Sequence, residues 1–178
     1  EKNPDFSREI NVTATDSLIK AADALNPKPK FIFSSSISIY GPRMTEPPPR
    51  TASDPVNPTD NYTHHKVACE KLLKESGLPW TILRVAVVSI TDVLGSIDPI
   101  IFEIPLDQRL EFVHSKDVAR ACVNCITADT VGKTLLIGGG KDRRLIQRDF
   151  IKSTMAAAGL GMFPESAFIV PEKASDWF

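Results

Sequence analysis

The chain has 178 residues, of which 42% are hydrophobic and 24% are charged, and this balance is typical of a globular protein with one substantial core. A formal net charge of −1 without any block of like charges argues against binding to nucleic acid or to an anionic membrane surface. No apolar run approaches the roughly 20 residues that a membrane-spanning helix needs.

The first part of the chain predicts a helix followed by a buried strand. Between about residues 7 and 25, apolar residues recur at helical spacing until Asn26-Pro27 ends the pattern. Residues 30–36 are almost continuously apolar and end in Ser34-Ser35-Ser36, which is the pattern of a parallel strand buried on both faces. Because ligands of open α/β sheets bind at the carboxyl ends of the strands, the three serines are candidate site residues.

A proline-dense segment without periodicity spans residues 41–58. Its composition could serve as a proline-rich ligand for an SH3-type partner. A rigid loop over the cleft is the favoured interpretation, because the segment joins two elements of one domain.

The next predicted helix, from residue 62 to about residue 75, carries a tyrosine and a lysine on one face. Tyr62 and Lys66 are four positions apart, and residues at this spacing are neighbours on a helix surface. A phenol titrates near ~10, and a cation beside it favours the phenolate. Such a pair can therefore exchange a proton with a substrate hydroxyl at neutral pH.

Later segments continue the alternation of strands and helices. The pattern predicts strands at residues 80–88, 111–114 and 134–137, and a last helix from about residue 146 to residue 158. The strand–helix–strand order favours an α/β fold with a parallel sheet and crossover helices.

Three cysteines are too few for a disulfide framework and predict a reducing, cytoplasmic setting. Cys122 and Cys125 have C-x-x-C spacing within a predicted helix, whereas a redox pair is expected at a helix N-terminus. Core packing is therefore favoured, on a buried stripe with Val118, Ala121 and Ile126. The sequence shows no convincing set of metal ligands, and no metal is predicted.

The order of these motifs resembles that of the extended short-chain dehydrogenase/reductase family, which includes NAD-dependent sugar epimerases and dehydratases. Residues 31–41 are similar to the serine-bearing strand and tyrosine-glycine turn of that family. Residues 11–15 are similar to its Asn-Val-x-Gly-Thr helix, with Ala14 where glycine is usual. Residues 112–121 and 137–140 resemble two segments of its C-terminal half.

The resemblance implies a catalytic role for four residues. Tyr62 would be the general acid/base, and Lys66 would stabilise its phenolate and bind the nicotinamide ribose. Ser36 would bind the reacting oxygen, with Ser35 as the alternative. Asn11 would hold a water that relays the proton to bulk solvent.

The resemblance also implies NAD or NADP as cofactor. The residues expected beside the cofactor are Ser34, Ser35, Tyr62, Lys66 and Val85. The glycine-rich phosphate loop of the family has no counterpart in this sequence, because Gly138-Gly139-Gly140-Lys141 lacks the P-loop spacing. The chain is therefore expected to be a fragment without the N-terminal glycine-rich half.

Residues 1–90 are expected to form the C-terminal part of a Rossmann-like dinucleotide-binding domain with the Ser/Tyr/Lys site. Residues 91–178 are expected to contribute the substrate-binding region, as part of a smaller C-terminal domain, and late strands of the sheet. Two departures from the family pattern stand out. His65 stands where the family often has serine, and the usual proline and tyrosine-glycine motifs are absent after Arg84. The sequence therefore does not identify the substrate.

The implied function is an NAD(P)-dependent epimerase, dehydratase or reductase that acts as a homo-oligomer on a nucleotide sugar or a similar hydroxyl or carbonyl compound. A non-catalytic dinucleotide-binding sensor is the alternative. The set of Ser36, Tyr62 and Lys66 favours the enzyme, because a sensor has no need of a proton donor.

Overall fold

A computed structural model describes residues 3–42, 46–89 and 99–173. The helices are α1 (Pro4–Arg8), α2 (Ala14–Asp23), α3 (Asn61–Glu75), α4 (Ser115–Thr127) and α5 (Gln147–Ala157). The strands are β1 (Phe31–Ser36), β2 (Trp80–Val85), β3 (Val87–Ser89), β4 (Arg109–His114), β5 (Lys133–Ile137) and β6 (Arg144–Ile146). Within the described ranges, no helix has the length and apolar character that crossing a membrane requires.

A parallel sheet in the order β1-β2-β5 forms the centre of the fold. Every residue of the central strand β2 except the first is buried, as a strand covered on both faces requires. Its register sets Ser36 beside Val85 and Val85 beside Ile137. This arrangement confirms the predicted α/β class with a parallel sheet.

Helices cover both faces of this sheet. Ile82 packs with Ile19 of α2 and Leu73 of α3, whereas its neighbour Leu83 packs on the other side with Cys125 of α4. Successive side chains of a strand point to opposite faces, so β2 alone contributes to two hydrophobic clusters. A third cluster, separate from these, joins Leu106, Ile151, Met155 and Phe168 in the C-terminal part.

The run at residues 80–88, predicted as one strand, is divided between two sheets. The strand β2 ends at Val85, and β3 begins at Val87 in a second sheet ordered β3-β4-β6. The N–H of Ala86 still donates to the carbonyl of Ile137 at 2.9 Å. The single-strand prediction was wrong at Ala86, because a continuous apolar run fits both sheets and does not reveal where the partner strand changes.

The predicted first helix is present, but it is interrupted by a π-helical turn at Glu9–Thr13 between α1 and α2. The N–H of Ala14 donates to the carbonyl of Glu9, five residues earlier, so the turn holds one more residue than an α-helical turn. After this turn Ile19 is buried, whereas Leu18 is 63% exposed.

Helix α4 buries fewer residues than predicted. Cys125 is buried, Cys122 is partly buried, and both are free thiols. Ile126, which was expected on the buried stripe, is 65% exposed. Consecutive helical residues point about 100° apart, so Ile126 turns away from the core once Cys125 faces it.

The proline-dense segment is tied back to the end of β1 where the structure describes it. The N–H of Asn57 donates to the carbonyl of Ile39 at 2.8 Å, and Arg50 donates to the carbonyl of Gly41. Gly41 has a φ of 61°, and an added Cβ would lie 2.2 Å from the carbonyl oxygen of Asn57. Only glycine fits this close approach.

The domain division at residue 90 stays a prediction, although β5, which belongs to the second predicted segment (residues 91–178), pairs with β2 of the first.

Candidate active site

The start of α3 fixes the position of Tyr62. The Asp60 carboxylate accepts a hydrogen bond from the N–H of Thr63 at 2.7 Å, and the Thr63 hydroxyl accepts one from the N–H of Asp60 at 3.1 Å. This reciprocal capping box satisfies two donors that a helix end otherwise leaves unpaired. Tyr62 therefore lies in a capped first turn, with Lys66 one turn further along.

Lys66 lies between Tyr62 and the end of strand β1. Its Nζ is 5.6 Å from the centroid of the Tyr62 ring and donates to the carbonyl of Ser34 at 2.9 Å. Burial lowers the pKa of Lys66, and the nearby Cys69 offsets this effect only in part. A partly desolvated cation interacts strongly with a neighbouring negative charge. Tyr62 itself is 46% exposed and open to a substrate.

Three of the predicted site residues, Asn11, Tyr62 and Lys66, line one cavity of about 80 Å³. The cavity lies between the π-helical turn, α2, β1 and α3. Its other lining residues are Ile10, Thr15, Phe33, His65 and Cys69.

Asn11 connects the π-helical turn to α3. Its main-chain carbonyl accepts hydrogen bonds from the Cys69 thiol at 3.3 Å and from the Thr15 hydroxyl at 2.7 Å. Its side-chain amide donates to the carbonyl of Ser7 at 2.9 Å. The role of holding a water stays a prediction.

Ser36 lies at the carboxyl end of β1 and caps the short 3-10 turn Ile37–Tyr40. Its hydroxyl accepts a hydrogen bond from the N–H of Ser38 at 3.2 Å and lies 2.8 Å from the Ser38 hydroxyl. The sequence analysis did not identify Ser38. The spacing of Ser36 and Ser38 could have indicated the contact, because a serine that caps a helical turn often forms a hydrogen bond with the residue two positions later. Ser36 is thus at the predicted sheet edge, although it is outside the residues that line the cavity.

The other residues expected beside the cofactor differ in accessibility. Ser34 is exposed and offers its carbonyl to Lys66. Ser35 is 3% exposed on the opposite face of β1, and Val85 packs against Leu83 and Ala86 in the core. Their contacts with a cofactor stay predictions.

A buried ion pair joins α3 to β2 and was missed by sequence reasoning. Arg84 donates to both carboxylate oxygens of Glu70, at 2.9 and 2.7 Å, and to the Tyr40 hydroxyl at 2.6 Å. Burial alone would raise the pKa of Glu70, but the hydrogen bonds from Arg84 and the positive charges of Arg84 and Lys74 outweigh it and lower that pKa. The signal was a charged residue in an apolar strand, which needs a buried partner.

The donor set fits the nicotinamide-ribose end of a dinucleotide. An ammonium group has three donors, and Lys66 uses one of them on Ser34, so donors are left for ribose hydroxyls. The exposed phenol of Tyr62 lies beside it. Over the part of the chain that the structure describes, no group of three or more His, Cys, Asp or Glu side chains could hold a metal ion.

The sequence model of the NAD dependent epimerase/dehydratase family matches residues 1–98, which is more than half of the chain. The chain belongs to this family. The membership confirms the predicted resemblance and the expected nicotinamide cofactor at the level of the family.

Two curated relatives match parts of the chain. D-erythronate dehydrogenase of Haemophilus influenzae is 35% identical over 77 residues, which are 42% of this chain and 23% of the relative. The uncharacterized protein y4nG of Sinorhizobium fredii is 28% identical over 137 residues, which are 68% of this chain and 34% of the relative.

Solved structures share the fold. The UDP-glucuronic acid 4-epimerase of Bacillus cereus, a point mutant in complex with NAD and a fluorinated sugar nucleotide, has a TM-score of 0.71 at 19% identity. It covers 85% of this chain, and the match covers 52% of that protein. The UDP-N-acetylglucosamine 4-epimerase of Methanobrevibacter ruminantium, in complex with UDP-N-acetylmuramic acid, has a TM-score of 0.72 at 22% identity and covers 90% of this chain and 57% of its own. The chain thus spans little more than half the length of these structures.

Proposed function

We propose that this chain carries the proton-transfer residues of an NAD-dependent enzyme that oxidises a substrate hydroxyl, as an epimerase, a dehydratase or a dehydrogenase. The observation that supports this function most is the pair formed by the exposed Tyr62 and the partly desolvated Lys66, whose Nζ lies 5.6 Å from the Tyr62 ring centroid. Lys66 contacts Ser34 in the carboxyl half of β1, and α/β folds bind ligands beyond the carboxyl ends of their strands.

Each residue has one task in this proposal. Lys66 stabilises Tyr62 as the phenolate, and the phenolate takes the proton from the substrate hydroxyl and becomes a neutral phenol. Ser36 donates a hydrogen bond to the reacting oxygen and fixes its position. Tyr62 and Lys66 hold the nicotinamide ribose, beside Ser34. Bound NAD supplies the acceptor for the hydride.

A nucleotide sugar is the first substrate class that we propose. The solved neighbours include UDP-glucuronic acid and UDP-N-acetylglucosamine 4-epimerases. A sugar acid is the second, because the D-erythronate dehydrogenase relative is 35% identical over its matched region. The homo-oligomer, the cytoplasmic setting and the choice between NAD and NADP stay predictions.

The decisive experiment compares two tyrosines in the full-length protein that contains this sequence. Tyr62→Phe should lower NAD-linked turnover by roughly 10²–10⁴-fold, the range for a positioned acid–base group. Thermal stability should change little, because the Tyr62 ring is half exposed. Cofactor affinity should largely persist, because Lys66 still holds the nicotinamide ribose.

Tyr40→Phe is the matched control. It removes a buried hydroxyl that binds Arg84 and Thr51, so it should lower the free energy of unfolding by about 1–3 kcal/mol. Turnover per folded molecule should persist. Retained turnover in Tyr62→Phe would contradict the proposed role of Tyr62. If the unsubstituted protein binds NAD but shows no turnover, the alternative of a non-catalytic dinucleotide-binding sensor is favoured.

A further inference from the structure

The proposed function gives no role to His65, one of whose ring nitrogens is in an unusual environment. Its Nδ1 is buried and has no hydrogen-bond partner in the ranges that the structure describes. The side chain is partly buried and lines the cavity that also contains Tyr62, Lys66 and Asn11. Buried polar atoms in proteins nearly always find a protein or water partner.

The cavity has room for a water as that partner. A water needs roughly 10–15 Å³ of such space, and about 80 Å³ is present, so several waters fit. The walls include hydrogen-bonding groups of Asn11, Thr15 and Lys66, and a polar cavity of this size is expected to be hydrated. Lys66 has donors beyond the one used on Ser34. A water bonded to both Lys66 Nζ and His65 Nδ1 would satisfy both groups.

We propose that His65 is a proton-relay residue that acts through Lys66, passing the proton released at Tyr62 through a cavity water to bulk solvent. This inference rests on the proposed function. Lys66 gives one proton to the water and regains one from Tyr62. The water gives one to His65 Nδ1, and the imidazole releases its Nε2 proton to bulk solvent. Tyr62, Lys66 and the water then end as they began, whereas His65 ends with its proton on Nδ1, and a half-turn of its ring restores the starting form.

The relay implies a net oxidation as the reaction class. Oxidation of a hydroxyl by NAD releases one proton per turnover, whereas epimerisation returns the proton to the substrate. A route that carries the proton to bulk solvent is therefore needed in a net oxidation and not in an epimerisation. A dehydrogenase acting on a sugar acid is therefore the substrate class that the relay favours.

Few titratable groups surround the cavity. Tyr62, Lys66 and Cys69 line it from the same helix as His65. The lining residues of the facing elements, which are Ile10, Asn11, Thr15 and Phe33, carry no charge. A change in pH dependence after substitution of His65 can therefore be assigned to the relay or to these three neighbours.

The kinetic test compares adjacent histidines of α3 in the full-length protein. With D-erythronate as the probe hydroxy acid, His65→Gln should lower kcat in dilute buffer by roughly tenfold to a hundredfold, at or below the lower end of the range for acid–base groups. Added imidazole should restore the rate and change the pH profile. The exposed neighbour His64 gives the control, and His64→Gln should behave as wild type. UDP-glucuronic acid is the probe nucleotide sugar, and its epimerisation should be unaffected by His65→Gln.

The structural test needs no turnover. A high-resolution crystal structure should show a water within hydrogen-bond distance of both His65 Nδ1 and Lys66 Nζ, and His65→Gln should leave the melting temperature nearly unchanged. A dry cavity overturns the relay. So does a rate loss that imidazole fails to rescue, because that result marks a structural role.

The outcomes separate the two proposals. Oxidation of D-erythronate that is lost in Tyr62→Phe but unchanged in His65→Gln counts against the relay alone. Full turnover in Tyr62→Phe, or no NAD-linked turnover with either probe, overturns the proposed function and the relay with it.

Discussion

Lys66 makes its contacts in three directions. Its Nζ donates to the carbonyl of Ser34, lies 5.1 Å from the centroid of the Phe33 ring and lies 5.6 Å from that of Tyr62. The ammonium group thus ties a helix to a strand end and remains beside the phenol. These contacts make Lys66 sensitive to pH, because burial lowers its pKa below the ordinary value of 10.5.

Turnover should therefore fall as the pH rises through the lowered pKa of Lys66, since a neutral amine no longer stabilises the phenolate. Lys66→Met should remove this alkaline limb and lower kcat over the whole range. It should also lower the free energy of unfolding by about 1 kcal/mol through the lost hydrogen bond to Ser34. Lys71, exposed on the same helix, provides the control, and an alkaline limb that persists in Lys66→Met would contradict the assignment.

The element that matters most to the site is the first turn of α3. The capping box of Asp60 and Thr63 fixes where the helix begins, and Tyr62 is its second residue. Fraying of this turn would move the phenol.

Asp60→Ala should lower the free energy of unfolding by about 1 kcal/mol and should lower turnover, because Tyr62 loses its fixed position. Asp60→Asn should retain both, since asparagine caps helices as well as aspartate does. Chemical denaturation and NAD-linked kinetics measure the two effects. Equal losses in both variants would show that the charge of Asp60, and not its capping oxygen, is what matters.

At the scale of the whole molecule, the buried pair of Glu70 and Arg84 joins α3 to β2. The pKa of Glu70 is lower in the folded protein than its ordinary value of 4.5. The unfolded chain therefore binds a proton more readily, and the contribution of Glu70 to stability is complete above about pH 4.5. It is lost as the pH falls through the lowered, folded-state pKa.

Glu70→Gln should cost roughly 3 kcal/mol at neutral pH, because Arg84 keeps its charge without a charged partner. The difference from wild type should shrink as the pH falls below about 4.5. Glu75→Gln, an exposed change on the same helix, should cost little at any pH. If the difference in free energy of unfolding between wild type and Glu70→Gln stays constant down to the pH of acid unfolding, titration of Glu70 in its pair with Arg84 does not cause the pH dependence.

The isolated 178-residue chain should self-associate and should not bind NAD or NADP tightly. In the described sheet β1 pairs only with β2. An open strand edge favours association, and so do exposed apolar side chains such as Leu18. The sequence also lacks a glycine-rich phosphate loop. Light scattering and calorimetric titration measure the two properties, and micromolar binding by a monomer would refute the expectation.

Sequence periodicity located β1, β2 and α3 because burial on both faces of a sheet, or on one face of a helix, leaves a direct trace in the order of residues. The pair of Tyr62 and Lys66 was found for the same reason, since its spacing is local. The change of partner strand at Ala86, the exposure of Ile126 and the cavity beside His65 depend on residues distant in the chain, and local patterns carry no record of them.

The passage of one stretch of backbone from β2 into β3 makes the two sheets mechanically continuous. A slip of two residues in β2 would pull β3 by about 6.6 Å along β4, so neither register can relax alone. Ala86, still bonded to Ile137, is the point through which such a displacement would pass. The amide protons of Val85, Ala86 and Val88 should then exchange with solvent in a single opening event rather than sheet by sheet.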